Sequence, residues 1–371
     1  MPPAGKRIVL HLDMDAFFAA IEERDHPDFA GFPVVVGADP QGGGGRGVVS
    51  TANYEARKYG VHSAQPISHA WRLCKKGEQR GGRPCVFFRG SFEKYDHESD
   101  GIMKIVRKYA GTVEQTSVDE AYFELPVKAR SSDDRYAEAI KIARLIKRRV
   151  LSETKLTCSI GVGPNKLIAK IASDYKKPDG LTIVRSGEVR AFLDPLSVRV
   201  IPGIGPKAEE MLRAMNIRIV RELRGVPDEM LTERFGVWGR EMAERAKGRD
   251  DRAVGGHQAI KSLGREHTFD EDARDPIILL ATLRWLAEQV AQDAREASVK
   301  FKNIELKVRL ASFETRTRRV TLRVSSSSAR IIENNTLRLF LPFLDRRENP
   351  HDRAIRLLGV RVAQLTLSPL R

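Results

Sequence analysis

The spacing of apolar positions divides the chain into regions with different patterns of predicted strands and helices. In the first half, short apolar runs alternate with amphipathic stretches, which predicts alternating strands and helices. The predicted strands cover 8–13, 33–37, 47–51, 112–115, 121–125 and 156–162, and the predicted helices cover 17–24, 53–59, 67–74, 91–109, 133–152 and 165–173. Two long helices packed on a sheet of such strands form an α+β layer architecture.

After Val184 the pattern changes to short helices separated by glycines and prolines. A small, polar run within 253–261 then predicts an interdomain linker. Beyond it, helices at 279–296 and 336–344 alternate with strands at 303–310, 318–325 and 354–365. The pattern therefore predicts an α+β multidomain protein, and 371 residues exceed what one hydrophobic core usually supports.

One segment of the first half resists this assignment. The four glycines at 42–45 cannot hold a regular element and predict a mobile loop. A small subdomain inserted near this segment is consistent with the pattern.

The charge of the chain points to its class of partner. Lysine and arginine number 64 against 49 acidic residues, giving a formal net charge of +15 and a pI near 9.8. Such a balance favours a polyanion, with nucleic acid ahead of an acidic membrane surface because the basic residues are spread along the chain. With neither a signal peptide nor a membrane-spanning apolar run in the sequence, we expect a cytoplasmic protein without a membrane partner.

The cysteines favour the same compartment. Cys74, Cys85 and Cys158 are odd in number and lack the close spacing of a disulfide framework or a zinc site. We expect all three to be reduced, buried thiols.

Three acidic residues carry the first candidate chemistry. Asp13 ends the apolar run 8–12, and Asp119 and Glu120 are adjacent within the predicted hairpin 112–125. If the two strands pair in one sheet, the three carboxylates repel one another unless divalent cations neutralise them. Neighbours on a regular strand point to opposite faces, so Asp119 and Glu120 need a turn or a distortion to converge.

Several other residues have both a functional and an ordinary interpretation. Thr51, Tyr54 and Arg57 have a helical spacing that would present donors to a triphosphate, but surface helices with basic residues are common. Asp15 suits the N-cap of the following helix. Phe17 and Phe18 open that helix, where most phenylalanines are core, although a flat apolar ring beside a nucleotide's sugar would exclude a 2′-hydroxyl.

Two regions are candidates for contact with DNA. The string I-P-G-I-G-P-K at 201–207 before a helix is typical of a helix-hairpin-helix, in which Gly203, Gly205 and Lys207 approach a phosphate; the alternative is an ordinary tight turn. In the last domain, basic residues alternate along two strands, so one sheet face could track phosphates. These basic residues are Lys307, Arg309, Arg316, Arg318, Arg319 and Arg323.

Taken together, the strings closely resemble the Y-family DNA polymerases of the DinB type. The matching motifs, in the order of the family, are L-D-M-D-A-F-F at 12–18, S-T-A-N-Y-E-A-R-K at 50–58, S-V-D-E-A-Y at 117–122, A-K-I-A-S-D at 169–174, K-K-P-D-G at 176–180 and I-P-G-I-G at 201–205. The resemblance implies a right-hand fold with a palm, fingers, a helical thumb and a little finger. The implied bounds are 1–16 and 91–185 for the palm, 17–90 for the fingers, 186–252 for the thumb with its helix-hairpin-helix, 253–261 for the linker and 262–371 for the little finger.

The resemblance also implies an activity, error-prone translesion synthesis from dNTPs on primer-template DNA without proofreading. By position, Asp13, Asp119, Glu120 and the backbone carbonyl of Met14 would hold two Mg²⁺ ions, with the three acids as the catalytic residues. Phe18 would be the steric gate against ribonucleotides. The residues that contact the triphosphate and sugar of the incoming nucleotide would be Phe17, Phe18, Thr51, Tyr54, Arg57 and Lys177. DNA-binding residues would include Gly203, Gly205, Lys207, Arg316 and Arg318.

Further partners and two rival functions stay open. The segment Gln364-Leu365-Thr366-Leu367-Ser368 partly matches a sliding-clamp peptide but lacks its terminal aromatic residue. We expect a monomer. One rival is a non-catalytic DNA-binding relative, disfavoured by retention of all three acids; the other is a nucleotidyl cyclase on a palm-like fold, disfavoured by the helix-hairpin-helix motif.

Overall fold

The computed structural model describes residues 7–126, 131–255 and 260–367. The chain folds as two compact units, Met1–Gly256 and His257–Arg371. This division falls inside the 253–261 segment, of which residues 256–259 lie outside the described part of the chain. Across the described ranges, no helix is both long and apolar enough to cross a bilayer.

The first unit contains strands and helices in close alternation. In chain order they are β1 (Val9–Met14), α1 (Phe17–Asp25), β2 (Val34–Gly37), β3 (Val49–Ala52), α2 (Tyr54–Lys58), α3 (Ile67–Gln79), β4 (Val86–Arg89), α4 (Phe92–Tyr109), β5 (Thr112–Gln115), β6 (Glu120–Glu124), α5 (Ser132–Thr154), β7 (Cys158–Gly163), α6 (Lys166–Tyr175), β8 (Leu181–Ile183), α7 (Val189–Leu193), α8 (Pro206–Ala214), α9 (Val220–Arg224), α10 (Asp228–Phe235) and α11 (Val237–Ala246).

A five-stranded sheet in the order β5-β6-β1-β7-β8 lies at the centre of this unit. Its middle strand β1 is antiparallel to both neighbours, and its side chains alternate between the two faces. Leu10, Leu12 and Met14 pack with α4 and α5 in the main core, whereas His11 and Asp13 face α6. The carboxylates therefore lie on the face that carries only one helix.

A second, three-stranded sheet in the order β3-β2-β4 carries α2 and α3. Here the structure corrects two expectations. Cys74 on α3 and Cys85 before β4 form a disulfide, so only Cys158 is the buried free thiol that was expected. The glycine run does not lack a regular element, because Gln41–Gly43 forms a 3₁₀ turn. The amides of Gly43 and of Gly45, which follows the turn, both donate to the carbonyl of Pro40.

Helices α7 to α11 form the remainder of the first unit. Their apolar residues share one core with α6, which contributes Leu167, Ile168 and Ile171. A 3₁₀ turn, Val198–Val200, leads through residues 201–205 into α8. This arrangement ties the glycine-rich hairpin to the helix that covers the carboxylate face.

The second unit is a sheet covered by two helices. Its elements are β9 (Ser262–Ala273), α12 (Pro276–Glu296), β10 (Val299–Leu310), β11 (Thr315–Ser326), α13 (Ala329–Leu344), β12 (Ile355–Ala363) and β13 (Thr366–Leu367). The sheet order is β11-β10-β12-β9, and β13 adds to β10. The sequence pattern missed β9 because, of its twelve residues, only Phe269 is buried, and it placed the start of α13 at Thr336 instead of Ala329.

Candidate active site

The structure brings two of the three acids together. Asp13 on β1 is directly paired with Glu120 on β6, and residues directly opposite in an antiparallel pair share a face. Ligand atoms of His11, Asp13 and Glu120 all lie within 4.8 Å of one another. Two carboxylates at this spacing are hard oxygen donors that suit a divalent cation.

Asp119 occupies the turn before the strand. Its backbone carbonyl accepts a hydrogen bond from the Met14 amide at 3.0 Å, and its carboxylate accepts one from the Ser117 hydroxyl at 2.5 Å. Because β6 begins only at Glu120, the two adjacent acids are not constrained to opposite faces. The start of the strand thus permits convergence of the two acids, although the clustered ligand atoms are those of His11, Asp13 and Glu120 and not those of Asp119.

Two lysines neutralise the acidic pair. Lys177 Nζ lies 2.7 Å from Asp13 Oδ1 and 2.8 Å from Asp174 Oδ1, and the Lys170 ammonium contacts the Glu120 carboxylate. Burial raises the pKa of Asp13 to about 6, although the Lys177 ammonium opposes the shift. The pKa of Glu120 is instead lowered by hydrogen bonding with His11 and by Lys170. A cation at this site therefore competes with Lys177 for Asp13.

Asp15 does not cap α1, contrary to the prediction from sequence. The N-cap position falls on Ala16, whose backbone is left-handed at φ 47°. The buried carboxylate of Asp15 instead accepts hydrogen bonds from Ser159 Oγ and the Asp179 amide, both at 2.8 Å. Asp15 therefore fixes the turn that follows Lys177 against the carboxylate-bearing strand.

The predicted phosphate residues lie on the neighbouring sheet and its helix. Thr51 is on β3, Tyr54 opens α2, and the Arg57 guanidinium lies 4.7 Å from the Tyr54 ring centroid while donating to the carbonyl of Ala52. Burial raises the pKa of Tyr54, and the charges that act on it are those of Asp15, Arg57, Lys177 and Asp13. The Tyr54 hydroxyl is buried and has no hydrogen-bond partner among the described residues.

The two phenylalanines differ in environment. Phe17 is 2% exposed within the main core, so only its backbone could reach a nucleotide. Phe18 is partly exposed and stacks on Tyr95 with ring centroids 4.2 Å apart. The Tyr95 hydroxyl donates to buried Glu22 at 2.6 Å, which fixes the ring that supports Phe18.

Comparison with known proteins identifies the chain. Residues 12–174 match the impB/mucB/samB family, and residues 260–369 match the C-terminal domain of that family. DNA polymerase IV 2 of Methanosarcina mazei is 44% identical over 97% of this chain and 93% of its own length. DNA polymerase IV of Methanoculleus marisnigri is 45% identical over 97% of this chain and 95% of its own length. The chain belongs to the Y-family of DNA polymerases.

Solved structures agree with this assignment. A Y-family chimera of Dbh and Dpo4 is 27% identical, with a TM-score of 0.81 over 97% of this chain and 100% of its own. DinB from Sulfolobus solfataricus is 27% identical, with a TM-score of 0.62 over the same shares. The family and the right-hand α+β fold class predicted from the sequence are confirmed. The chain is a DNA-directed DNA polymerase of the error-prone, translesion type.

In this Y-family polymerase the glycine-rich hairpin has a defined backbone. Gly203 has φ 97°, and a Cβ there would lie 2.5 Å from the Trp238 ring, so only glycine fits. Arginines that the sequence did not single out support the turn, because Arg199 and Arg245 donate to the carbonyls of Ile204 and Pro202. Gly205 precedes α8, and exposed Lys207 lies in its first turn.

The basic residues of the second unit divide between the two faces of the sheet. Arg316 and Arg318 pair in register with Val308 and Leu306, on the side of the helices, and both bind Glu348. Arg316 and Arg318 therefore do not share a face with the other basic residues of these strands, and phosphate binding by one sheet face stays a prediction. The open face presents Lys307, Arg309, Arg319, Arg323 and Arg361 instead.

The polymerase's last segment partly pairs with the sheet. Gln364 has a left-handed backbone at φ 53°, after which Thr366 and Leu367 pair with Lys300 and Val299. Ser368, the end of the predicted clamp peptide, lies outside the described residues. Binding of a sliding clamp and the monomeric state stay predictions.

Sequence reasoning missed three residues that surround Glu120. They are His11, Lys170 and Ser173, which contact Glu120 directly or through one another. The strings L-H-L-D at 10–13 and A-K-I-A-S-D at 169–174 contain them, but nothing in either string indicates that the two segments meet.

Proposed function

We propose that this polymerase transfers nucleotides at the carboxylate face of the central sheet, with Asp13, Asp119, Glu120 and the backbone carbonyl of Met14 as the ligands of two Mg²⁺ ions. The observation that carries the proposal is the direct pairing of Asp13 with Glu120, with Asp119 in the adjoining turn. When bound, the ions would lower the pKa of the primer 3′-hydroxyl and neutralise the triphosphate and the leaving pyrophosphate.

The cationic and hydroxyl groups beside this face fit the incoming triphosphate. Tyr54 offers a buried hydroxyl without a partner, and Arg57 and Lys177 supply positive charge next to it. Thr51 adds a second hydroxyl on the same small sheet. A phosphate accepting from Tyr54 would remove the cost of a buried, unpaired donor. Lys177 would exchange its contact with Asp13 for one with a phosphate.

Under this proposal, regions of the chain correspond to the palm, fingers and thumb of a polymerase. The central sheet with α4 to α6 is the palm, residues 17–90 are the fingers, and residues 186–252 are the thumb. Gly203 and Gly205 let the backbone approach a phosphate of the duplex, and the exposed ammonium of Lys207 binds it. The open sheet face of the second unit follows the DNA backbone, where Gly264 and Gly359 leave a depression of about 280 Å³ that both basic and acidic side chains line. The basic ones are Arg265, Lys307 and Arg361, and the acidic ones are Glu266 and Glu305.

Primer extension on a template with an abasic site tests the proposed function. We expect wild-type protein with Mg²⁺ and dNTPs to extend the primer past the lesion and to produce no extension without the template strand. Stalling of the wild-type protein at every lesion, with normal extension on undamaged DNA, would retain the polymerase and exclude its role in bypass. No extension on either template would exclude the polymerase activity at this site.

The pH dependence of metal binding follows from Asp13. Its pKa is raised to about 6 by burial, so a proton competes with Mg²⁺ for this carboxylate below that pH. We expect the Mg²⁺ concentration for half-maximal extension to be constant above pH 7 and to rise as pH falls through 6, by up to about tenfold per pH unit. Excess Mg²⁺ at pH 5.5 should restore the rate. A half-maximal concentration that does not change between pH 5.5 and 7 would contradict this assignment.

The division of basic residues predicts which arginines bind DNA. Replacing Arg319 and Arg323 together by glutamine should weaken DNA binding and reduce the slope of log affinity against log salt by about 2, since each lost phosphate contact removes about 0.9. The matched control replaces Arg316 and Arg318, which are bound to Glu348. Fluorescence anisotropy of labelled DNA at several salt concentrations measures the affinity and its salt slope for both double variants. An equal or larger change in the control pair would place DNA on the other face.

A further inference from the structure

A buried histidine connects the helix α6 to the active-site carboxylate. His11 on β1 has no exposed surface, and its Nδ1 lies 2.8 Å from the hydroxyl of Ser173, which is also buried. Its Nε2 lies 3.2 Å from Glu120 Oε2. The three side chains thus form a continuous chain of hydroxyl, imidazole and carboxylate between residues separated by more than 100 positions.

The hydrogen-bond directions in this chain can be assigned from the number of available protons. The Ser173 hydroxyl also donates to the carbonyl of Lys170 at 2.8 Å, but that carbonyl is inside α6 and has a helical amide as its regular partner. If the hydroxyl turns its single proton to His11 Nδ1 instead, the Lys170 carbonyl keeps that amide, and the ring proton is on Nε2. In the other tautomer the Nε2 lone pair would face a carboxylate, which is repulsive.

Glu120 is the carboxylate nearest to Nε2. Nε2 is buried and makes no well-aligned hydrogen bond to any described residue. The 3.2 Å separation from Glu120 is longer than an ideal charge-assisted bond and its angle is poor, but the carboxylate is the acceptor within reach. An imidazole on a strand with apolar neighbours costs free energy unless both nitrogens are bonded, so the pairing with Glu120 is the arrangement that stabilises it.

Glycine permits the approach of α6 that this chain requires. Gly161 pairs with His11 across β1 and β7, and a Cβ on it would lie 2.0 Å from the Ala169 carbonyl oxygen and 2.4 Å from the Ser173 amide. Any side chain there would push α6 away from the sheet. The contact between Ser173 and His11 therefore depends on Gly161, although Gly161 takes no part in the hydrogen bonds.

We propose that His11, held by Ser173, is a positioning residue that orients the Glu120 carboxylate for its role as a metal ligand. The order of groups resembles a hydrolase triad, but the Ser173 hydroxyl is 1% exposed and cannot attack a substrate. The Lys170 ammonium contacts the same oxygen, Oε2, so one end of the Glu120 carboxylate is held by an imidazole and an ammonium. The inference rests on the proposed role of Glu120.

Three substitutions of His11 test the proposal. His11→Phe keeps the ring volume and removes both hydrogen bonds. In His11→Gln the side-chain amide nitrogen can replace Nε2, and in His11→Asn it can replace Nδ1. We expect His11→Phe to lower kcat by about 10- to 100-fold, as for other partners of metal ligands, and to leave KM for dNTP within about threefold. His11→Gln should recover most of kcat and His11→Asn should not.

Mn²⁺ affinity, measured by the electron paramagnetic resonance signal of free Mn²⁺ without substrate, provides a readout independent of turnover. It should weaken about 10- to 100-fold in His11→Phe and remain near wild type in His11→Gln. The melting temperature of His11→Phe should not fall by more than a few degrees, because an apolar ring replaces a buried polar one. If His11→Phe fails to fold, the comparison of His11→Gln with His11→Asn still decides.

Two results would overturn the proposal. One is wild-type kcat and Mn²⁺ affinity in His11→Phe, and the other is equal behaviour of His11→Gln and His11→Asn. Glu120→Gln serves as the reference. If Glu120→Gln retains full activity, the proposed role of Glu120 itself is wrong; if it is inactive while His11→Phe is normal, only the positioning role of His11 fails.

Discussion

Replacement of Asp13 by asparagine should abolish primer extension, with a loss on the order of a thousandfold or more in kcat. The substitution keeps the shape of the side chain and removes the charge that a cation requires, and each 1.36 kcal/mol of lost transition-state stabilisation is a factor of ten in rate. Single-turnover extension of a labelled primer measures the loss. DNA affinity should remain within about threefold of wild type, because Asp13 lies at the chemical site.

The control for this prediction uses the shared partner Lys177. Both Asp13 and Asp174 bind the Lys177 ammonium, at 2.7 and 2.8 Å, but only Asp13 belongs to the cluster with Glu120. Asp174→Asn should therefore keep kcat within about fivefold. If both variants lose activity equally, the effect comes from freeing Lys177 and not from loss of a metal ligand. Asp13→Asn should not lower the melting temperature substantially, since burial already disfavours the charged form of this carboxyl group.

Replacement of Phe18 by alanine should weaken the discrimination against ribonucleotides by roughly 100-fold. The ring of Phe18 is held by stacking on Tyr95, whose hydroxyl is bound to buried Glu22, so it cannot easily move away from a 2′-hydroxyl. Under the predicted gate role, in which the ring acts by exclusion, the variant should gain rNTP incorporation with only a modest change for dNTPs. The ratio of kcat/KM for dCTP and rCTP opposite the same template base measures this effect.

Phe92 provides the matched control for the gate. Its ring contacts Phe18 edge-on, with centroids 6.1 Å apart, and is 66% exposed. Phe92→Ala removes an aromatic neighbour without removing the gate, so discrimination should change less than threefold. Unchanged sugar selection in Phe18→Ala would remove this residue from the gate role.

The opposite pKa shifts of Asp13 and Glu120 have a common physical origin in the sheet. Asp13 is buried more deeply, and one lysine does not offset its desolvation; Glu120 has both an imidazole and an ammonium beside it. Of these two carboxyl groups, Asp13 gains a proton near pH 6 and Glu120 stays charged. Between them, Asp13 should be the one whose protonation weakens metal binding at low pH.

Much of the fold could be predicted from local pattern. The strand Val9–Met14, the helix that begins at Phe17 and the hairpin β5–β6 each follow from apolar spacing and from residues that begin or end an element. Ser91 and Asn165 cap the helices α4 and α6, at the positions where the sequence predicted these helices to begin. By contrast β9 has a polar sequence and is a strand only because β12 pairs with it, so no local signal could reveal it.

By itself, the sequence determined that Asp13 ends an apolar strand and that Asp119 and Glu120 lie within a predicted hairpin, because charge at the end of an apolar run is a local property. Only the tertiary structure decided which partners these groups have. Asp15 bonds Ser159 and Asp179 and not its own helix, Arg316 and Arg318 bind Glu348 because of the register of β11, and Cys85 meets Cys74. His11 meets Ser173 and Glu120 because strand pairing and the close approach of α6 at Gly161 bring together segments more than 100 residues apart, which no spacing along the chain encodes.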